Sequence, residues 1–243
     1  MCGIFGIIIR DRSKQDPKKF LCDLKELYKL SMMRGQDSTG LAINDTESIK
    51  VFKRHYKPTE FISEEIFSES ILTAFDFNAK PLSVIGHCRL VTDGSLTVEN
   101  NNQPICSKNI VGIHNGIVIN TESLPVNSLR KDNEKKIQAP TMESSIVDSD
   151  TCQLIDSISE LYAKNDFNLI ESLSYIYEII NGTASIALMS NIENNIYLAT
   201  NNGSLYYYPD GEIFMFASEK IILKKILNRS KLIKLVDIKK LLN

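Results

Sequence analysis

Met1-Cys2-Gly3-Ile4-Phe5-Gly6 opens the chain, and the reading of these six residues decides the rest. A small residue at position 2 ordinarily lets the initiator methionine be removed. Cys2 would then carry a thiol and a free α-amine on one residue. An α-amine titrates near about 7.7–8.0 and a thiol near about 8.5, so at neutral pH the amine can take the thiol's proton without help from a histidine. That is the N-terminal form of base-activated covalent catalysis. The two glycines allow backbone to approach a substrate closely. The plainer reading makes Cys2 a small apolar residue at the start of a strand, and this stretch alone favours neither.

Working outward, Cys2 to Ile9 is a continuous apolar run with β-branched residues, which predicts a buried strand. Asp16-Pro17 is a helix start, Asp as N-cap and Pro at the first helical position. Phe20, Leu24, Leu27, Tyr28 and Ser31 then recur at helical spacing, giving a helix to about Met33 that packs on a sheet by one face. Arg34 to Gly40 breaks that helix. Leu41 to Asn44 and Ser48 to Arg54 predict a hairpin around Asp45-Thr46. Residues 55–80 read as a surface excursion with at most a short helix. Ser83 to Leu90 is a strand, 99–103 a polar loop stopped by Pro104, and Asn109 to Ile119 an apolar strand interrupted by His114-Asn115-Gly116. A glycine there points to a bulge or a close backbone approach.

Residues 128–147 are charged and read as a loop or insertion. Helices are expected at about 150–163 and 167–180, the second capped by Asp166. Strands follow at 183–190, 196–200, 204–208 and 212–217, with turns at Asn194-Asn195, Asn202-Gly203 and Asp210-Gly211, and a last helix begins near Ser218. Strands, then helices, then an antiparallel meander predict one α+β domain with stacked sheets, spanning 1–243.

The totals narrow the class. The chain has 243 residues, 43% hydrophobic and 24% charged, enough for a sizeable core. A net charge of -2 offers no field to recruit nucleic acid or an anionic membrane. No apolar run approaches the roughly 18 residues of a membrane span, and no basic lead with an apolar core marks a secretory signal. The five cysteines, Cys2, Cys22, Cys88, Cys106 and Cys152, are odd in number and form no C-x-x-C pair, so neither a disulfide framework nor a zinc site is expected. A reducing, cytoplasmic compartment follows, with no metal or cofactor.

Five polar islands sit at strand ends or loop starts. Each alone reads as a turn, cap or helix exit, since turns favour these residue types for backbone reasons. Their combination and order carry more. Cys2-Gly3-Ile4-Phe5-Gly6, Arg34-Gly35-x-Asp37-Ser38-x-Gly40, Gly86-His87-x-Arg89, His114-Asn115-Gly116 and Ser149-Asp150-Thr151 together resemble the class II glutamine amidotransferases. These are the N-terminal-nucleophile glutaminase domains of glucosamine-6-phosphate synthase, amidophosphoribosyltransferase and asparagine synthetase. The resemblance runs from Cys2 to about Ile226. Subfamily marks are mixed. Gly86-His87-Cys88-Arg89 is similar to the glucosamine-6-phosphate synthase pattern, except that Leu90 stands where that pattern has an aromatic. Gln103-Pro104 and Phe216-Ala217-Ser218-Glu219 look more like the other two families.

The resemblance implies an αββα N-terminal-nucleophile hydrolase fold and hydrolysis of L-glutamine to glutamate and ammonia. It assigns Cys2 as nucleophile with its α-amine as base, and Asn115 and Gly116 as oxyanion donors. It assigns Arg89 to the substrate α-carboxylate, with Thr92 adding a hydrogen bond, and Asp150 to the α-ammonium. Arg34 and Asp37 are expected behind these, holding the nucleophile strand and the asparagine. His87 and His114 are expected to be structural, and the other four cysteines core residues. The resemblance also implies an ammonia-accepting synthase, expected here as a separate subunit serving amino-sugar or surface-polysaccharide synthesis. A domain of a longer asparagine or glucosamine-6-phosphate synthase is the alternative. From Glu219 to the end eight Lys/Arg face two Asp/Glu among apolar residues, a candidate docking tail or a solvated helix. An amidase for another substrate, or an inert module of the same fold, are the rival readings.

Overall fold

The opening run forms β1 (Gly3–Ile9), buried along nearly its whole length. A strand apolar on both faces needs cover above and below, which places it in the middle of a sheet. The computed structural model describes residues 2–76, 80–91, 101–125, 137–139, 149–164, 168–229 and 239–240. In it β1 is followed by α1 (Pro17–Ser31), β2 (Ser38–Asn44), β3 (Ile49–Arg54), α2 (Pro58–Phe61), α3 (Glu65–Thr73), β4 (Leu82–Arg89), β5 (Ile105–Ser107), β6 (Ile110–Val118) and β7 (Ile137–Gln138). Then come α4 (Asp150–Lys164), α5 (Leu169–Ile179), β8 (Gly182–Ser190), β9 (Ile196–Thr200), β10 (Tyr206–Pro209), β11 (Ile213–Ala217), α6 (Lys220–Arg229) and β12 (Lys239–Lys240).

The strands form two sheets. The larger runs β12-β10-β11-β1-β4-β2-β3-β7 and the smaller β5-β6-β8-β9. Neighbours are antiparallel except β3 and β7. In the register of β1, Ile4 lies opposite His87 and Phe5 opposite Ala217. Ile4, Ala42 and Ile85 of the larger sheet meet Val111, Ile113 and Met189 of the smaller in one apolar layer. The larger sheet's other face packs on α1, α2, α3 and α6, and the smaller sheet's other face on α4 and α5. The order of layers is therefore α, β, β, α.

α1 shows why the sequence could be read here. Asp16 accepts from Lys18 N at 2.9 Å and Pro17 takes the first helical position. The buried face is Phe20, Leu24, Leu27, Tyr28 and Ser31, the set that the spacing predicts.

Elsewhere the fold departs from expectation. The 34–40 break is shorter than it looks, because β2 begins at Ser38 and pairs Ser38 with Arg89. The 55–80 stretch is no mere excursion. It carries two helices, and Phe61, Phe67 and Ile71 are buried against Tyr28 and its neighbours. Its apolar residues recur over too few turns to show a period. The strand through His114-Asn115-Gly116 carries no bulge: β6 pairs residue for residue with β8 from Ile110 to Val118. The expected meander divides, β8 and β9 in the smaller sheet and β10 and β11 in the larger. Asn202 Oδ1 accepts from Ser204 N at 2.9 Å in the turn where the chain crosses. Asn168 rather than Asp166 caps α5, accepting from Glu171 N at 3.2 Å, while Asp166 lies outside the described residues. Cys22 is exposed, so it is no core residue; Cys88, Cys106 and Cys152 are buried, and the cysteines are free thiols. In the 219–243 tail, α6 buries Ile222, Leu223, Ile226 and Leu227 in the domain's own core. Those four are not available to a partner. Among the described residues no helix is long and apolar enough to cross a membrane.

Candidate active site

Side chains alternate faces along a strand. Ile4 of β1 faces the layer between the sheets, and Cys2 precedes it by two residues at the open end of that layer. The Cys2 thiol donates to Leu90 O at 3.7 Å. Burial pushes it above the ordinary thiol value, opposed in part by the Arg89 cation. A buried thiol is protonated at neutral pH, so it needs a base close by before it can attack. Met1 lies outside the described residues.

A cleft at this end of the sandwich is lined by Cys2, Arg89, Leu90, Asn101, Gln103, His114, Gly116, Ser149, Asp150 and Thr151. It gathers residues from the starts of β1 and α4, the end of β4, and the middle of β6. Four of the sequence candidates thus meet: Cys2, Arg89, Gly116 and Asp150. Arg89 is buried, and its Nη1 donates to Asn102 Oδ1 at 2.7 Å. Asp150 opens α4, where its Oδ2 accepts from Val118 N at 3.0 Å and its Oδ1 from Thr151 N at 2.6 Å. Thr92 falls outside the described residues.

Asn115 sits beside Gly116, buried to 1%. Its Oδ1 accepts from Arg34 Nη2 at 3.5 Å, while its Nδ2 has no hydrogen-bond partner among the described residues. An orphaned buried donor costs about 1–3 kcal/mol, so a protein keeps one where a ligand will meet it. The backbone at Gly116 is crowded. A Cβ there would lie 1.9 Å from Thr183 O and 2.7 Å from His114 Nε2, so no side chain can stand there.

Arg34 and Asp37 lie behind the cleft. Arg34 Nε donates to Cys2 O at 3.3 Å and its Nη1 to Glu219 Oε1 at 2.5 Å. It therefore touches the nucleophile candidate, the asparagine and α6's approach at once. Asp37 differs from its expected place. Its amide donates to Arg89 O at 2.9 Å and its carboxylate accepts from Val91 N at 2.8 Å, so it holds the end of β4 rather than the asparagine. Gly35 lets that turn press in, since a Cβ would lie 2.3 Å from the Arg89 carbonyl carbon.

Sequence reasoning missed Asn102, Gln103 and Thr151. Asn102 Oδ1 takes Ser38 Oγ at 2.9 Å as well as Arg89. Gln103 Oε1 accepts from His114 N at 2.6 Å, and its Nε2 donates to Thr151 Oγ1 at 3.2 Å. Thr151 Oγ1 lies 3.0 Å from His114 Nδ1. The described part of the expected polar loop is thus buried, with Asn102 at 1% exposure. The available signals were Gln103-Pro104, read only as a subfamily mark, and Thr151's place in the Ser149-Asp150-Thr151 motif, from which only Asp150 was given a role. His87 is fully buried with neither ring nitrogen hydrogen-bonded among the described residues, and burial holds its pKa well below the ordinary value. Burial lowers that of His114 as well. Among the described residues no group of His, Cys, Asp and Glu could hold a metal ion.

Comparison with known proteins bears on this geometry. The glutamine amidotransferase domain family matches residues 87–225, more than half of the chain. The glutamine–fructose-6-phosphate aminotransferase (isomerizing) of Bacillus licheniformis is 27% identical over 231 residues, 94% of this chain and 34% of that protein. Its counterpart in Sulfolobus acidocaldarius is 27% identical over 206 residues, 84% of this chain and 31% of that protein. The chain spans about a third of the length of these curated relatives. Among solved structures, the glutamine phosphoribosylpyrophosphate amidotransferase of B. subtilis aligns over 99% of this chain and 44% of its own, with a TM-score of 0.61 and 21% identity, a likeness of fold. The αββα architecture is accordingly that of the N-terminal-nucleophile hydrolases. The chain belongs to the glutamine amidotransferase domain family, as an enzyme of its class II, N-terminal-nucleophile branch.

Proposed function

We propose that the domain hydrolyses L-glutamine to glutamate and ammonia through a thioester on Cys2, and that this ammonia is passed to a synthase. The observation that carries the reading is the convergence of Cys2, Arg89, Gly116 and Asp150 on one cleft, beside the orphaned amide of Asn115. In this reading the free α-amine of Cys2, exposed once Met1 is removed, takes the thiol proton and later gives it to the departing ammonia. Sγ bonds the amide carbon while the carbonyl becomes an oxyanion, which meets Asn115 Nδ2 and the Gly116 N–H. The C–N bond breaks as ammonia leaves, and water then cleaves the thioester. The Arg89 guanidinium grips the α-carboxylate, for which its planar fork is suited. Asp150 receives the α-ammonium, and Thr92 adds a bond to the carboxylate. Arg34 holds Cys2 and Asn115 in register, and Asp37 holds the Arg89 end of β4.

The acceptor follows from chemistry and from relatives. Ammonia at neutral pH is mostly protonated and not nucleophilic, so a sheltered transfer to a docked synthase suits it. The curated relatives named above act on fructose-6-phosphate, which favours an amino-sugar product. We take residues 1–243 as one such domain, serving a synthase on a separate subunit.

The test is direct. Purified protein should release ammonia and glutamate from L-glutamine, and Cys2→Ala should lower that rate by about 10⁴-fold or more, as loss of a nucleophile does elsewhere. Cys2→Ala should still bind glutamine. A single mass adduct on Cys2 after treatment with 6-diazo-5-oxo-norleucine should accompany activity. A folded, Met1-free protein that neither labels nor hydrolyses glutamine overturns the reading.

A further inference from the structure

Arg34 makes three contacts, and they end on three separate parts of the chain. Its Nε donates to Cys2 O at 3.3 Å, its Nη2 to Asn115 Oδ1 at 3.5 Å, and its Nη1 to Glu219 Oε1 at 2.5 Å. The first two are long for hydrogen bonds, and only the third is short. A long arginine side chain has many rotamers, and two weak contacts do not select one. The carboxylate of Glu219 is the group that does. The backbone at Glu219 is itself anchored, since Ser218 N donates to Ile4 O at 2.8 Å on β1. The ion pair is mostly shielded, with the Arg34 side chain 14% exposed and that of Glu219 34%.

The consequence lies in the asparagine. An amide side chain has a donor end and an acceptor end. A guanidinium on Oδ1 turns Nδ2 the other way, and that nitrogen is buried without a partner. We propose that Glu219 is a positioning residue for the glutaminase reaction: it fixes Arg34, and Arg34 in turn aims Asn115 Nδ2 at the oxyanion and steadies the backbone of Cys2. This rests on the function proposed above. It implies that Glu219 matters as the charge forms and not when glutamine binds, because its ion pair is to Arg34, whose other contacts are Cys2 and Asn115.

The experiment is steady-state glutaminase kinetics on Glu219→Gln, Arg34→Met and the double variant, with wild type and Cys2→Ala as references. Glu219→Gln keeps the side chain's shape and removes its charge. Its kcat should fall by about 10- to 100-fold, the scale of a misplaced catalytic group, while KM for glutamine stays within about threefold. The double variant should be no slower than Arg34→Met alone, since Glu219 acts only through Arg34. Alkylation of Cys2 by iodoacetamide, which forms no oxyanion, should proceed at the wild-type rate in Glu219→Gln. If wild type is active and Glu219→Gln matches its kcat, the inference fails alone. It fails equally if the two losses simply add, if KM takes the effect, or if Glu219→Gln does not fold. An inactive wild type would instead remove the function on which it rests.

Discussion

The two ends of the larger sheet both bury arginine, and they treat it in opposite ways. At the far end Arg12 is 1% exposed and surrounded by backbone carbonyls. It donates to Lys80 O at 3.0 Å, Asp45 O at 2.6 Å, Pro81 O at 3.1 Å and Ala74 O. Every one of these acceptors is fixed main chain. At the near end Arg34 and Arg89 donate mainly to side chains, and polar groups around them are left incomplete: among the described residues Asn115 Nδ2 and both ring nitrogens of His87 have no hydrogen-bond partner. Satisfied burial stabilises a fold, whereas unsatisfied burial costs stability and is kept where a substrate will complete it. Polar burial is thus common to both ends; what differs is that the far guanidinium is enclosed by main-chain acceptors, while the near end leaves the Asn115 amide nitrogen without one.

This contrast can be broken by exchanging the expected effects. Arg12→Met should cost about 3–5 kcal/mol of unfolding free energy, because the carbonyls around it lose their donors. Turnover per folded molecule should not change. Urea denaturation with an activity assay at low denaturant checks both, and a stable Arg12→Met protein would remove the scaffold half of the comparison. Asn115→Ala should do the reverse. Its kcat should fall by about 10²–10³-fold, the scale of a lost oxyanion donor. Unfolding free energy should change by less than about 1 kcal/mol, because removing the orphaned Nδ2 offsets the loss of the long Oδ1 contact with Arg34.

A smaller effect sharpens the same point through pH. The pKa of His87, and of His114, is held below the unfolded value of about 6.5 by burial. Below that pH the unfolded chain binds protons that the folded chain refuses, so stability falls as pH falls. The slope should reach at most about 1.4 kcal/mol per pH unit for each histidine. Denaturation midpoints at pH 7.5 and 5.0 measure it, and His87→Phe should flatten the dependence. An unchanged slope would mean that His87 charges freely in the folded protein.

Much of this molecule is legible locally. The α1 cap and its buried stripe need only residues within two or three turns of one another. The same holds for the central strand, whose unbroken apolar run needs nothing beyond itself. The polar islands were readable because their order along the chain is a motif, not because any one of them was unusual. Where the reading failed, the deciding contacts were distant. The apolar residues of α2 and α3 looked scattered until Tyr28 packed against them. Asn102 and Gln103 looked like loop until β4, β6 and α4 closed over them. The apolar face of α6 looked like a docking surface until it was found in the core.

What the sequence determined by itself was the set of chemically able residues: a thiol beside the initiator methionine, an Asn-Gly pair in an apolar strand, an arginine at a strand end and an aspartate at a helix start. Periodicity and capping are short-range, so they survive in one dimension. The tertiary structure alone decided which of these residues meet. It also decided that Asp37 serves Arg89 instead of Asn115, and that Glu219 reaches Arg34 across 185 positions of chain. Hydrogen-bond completeness is a property of three-dimensional neighbours, and no spacing along the chain encodes it.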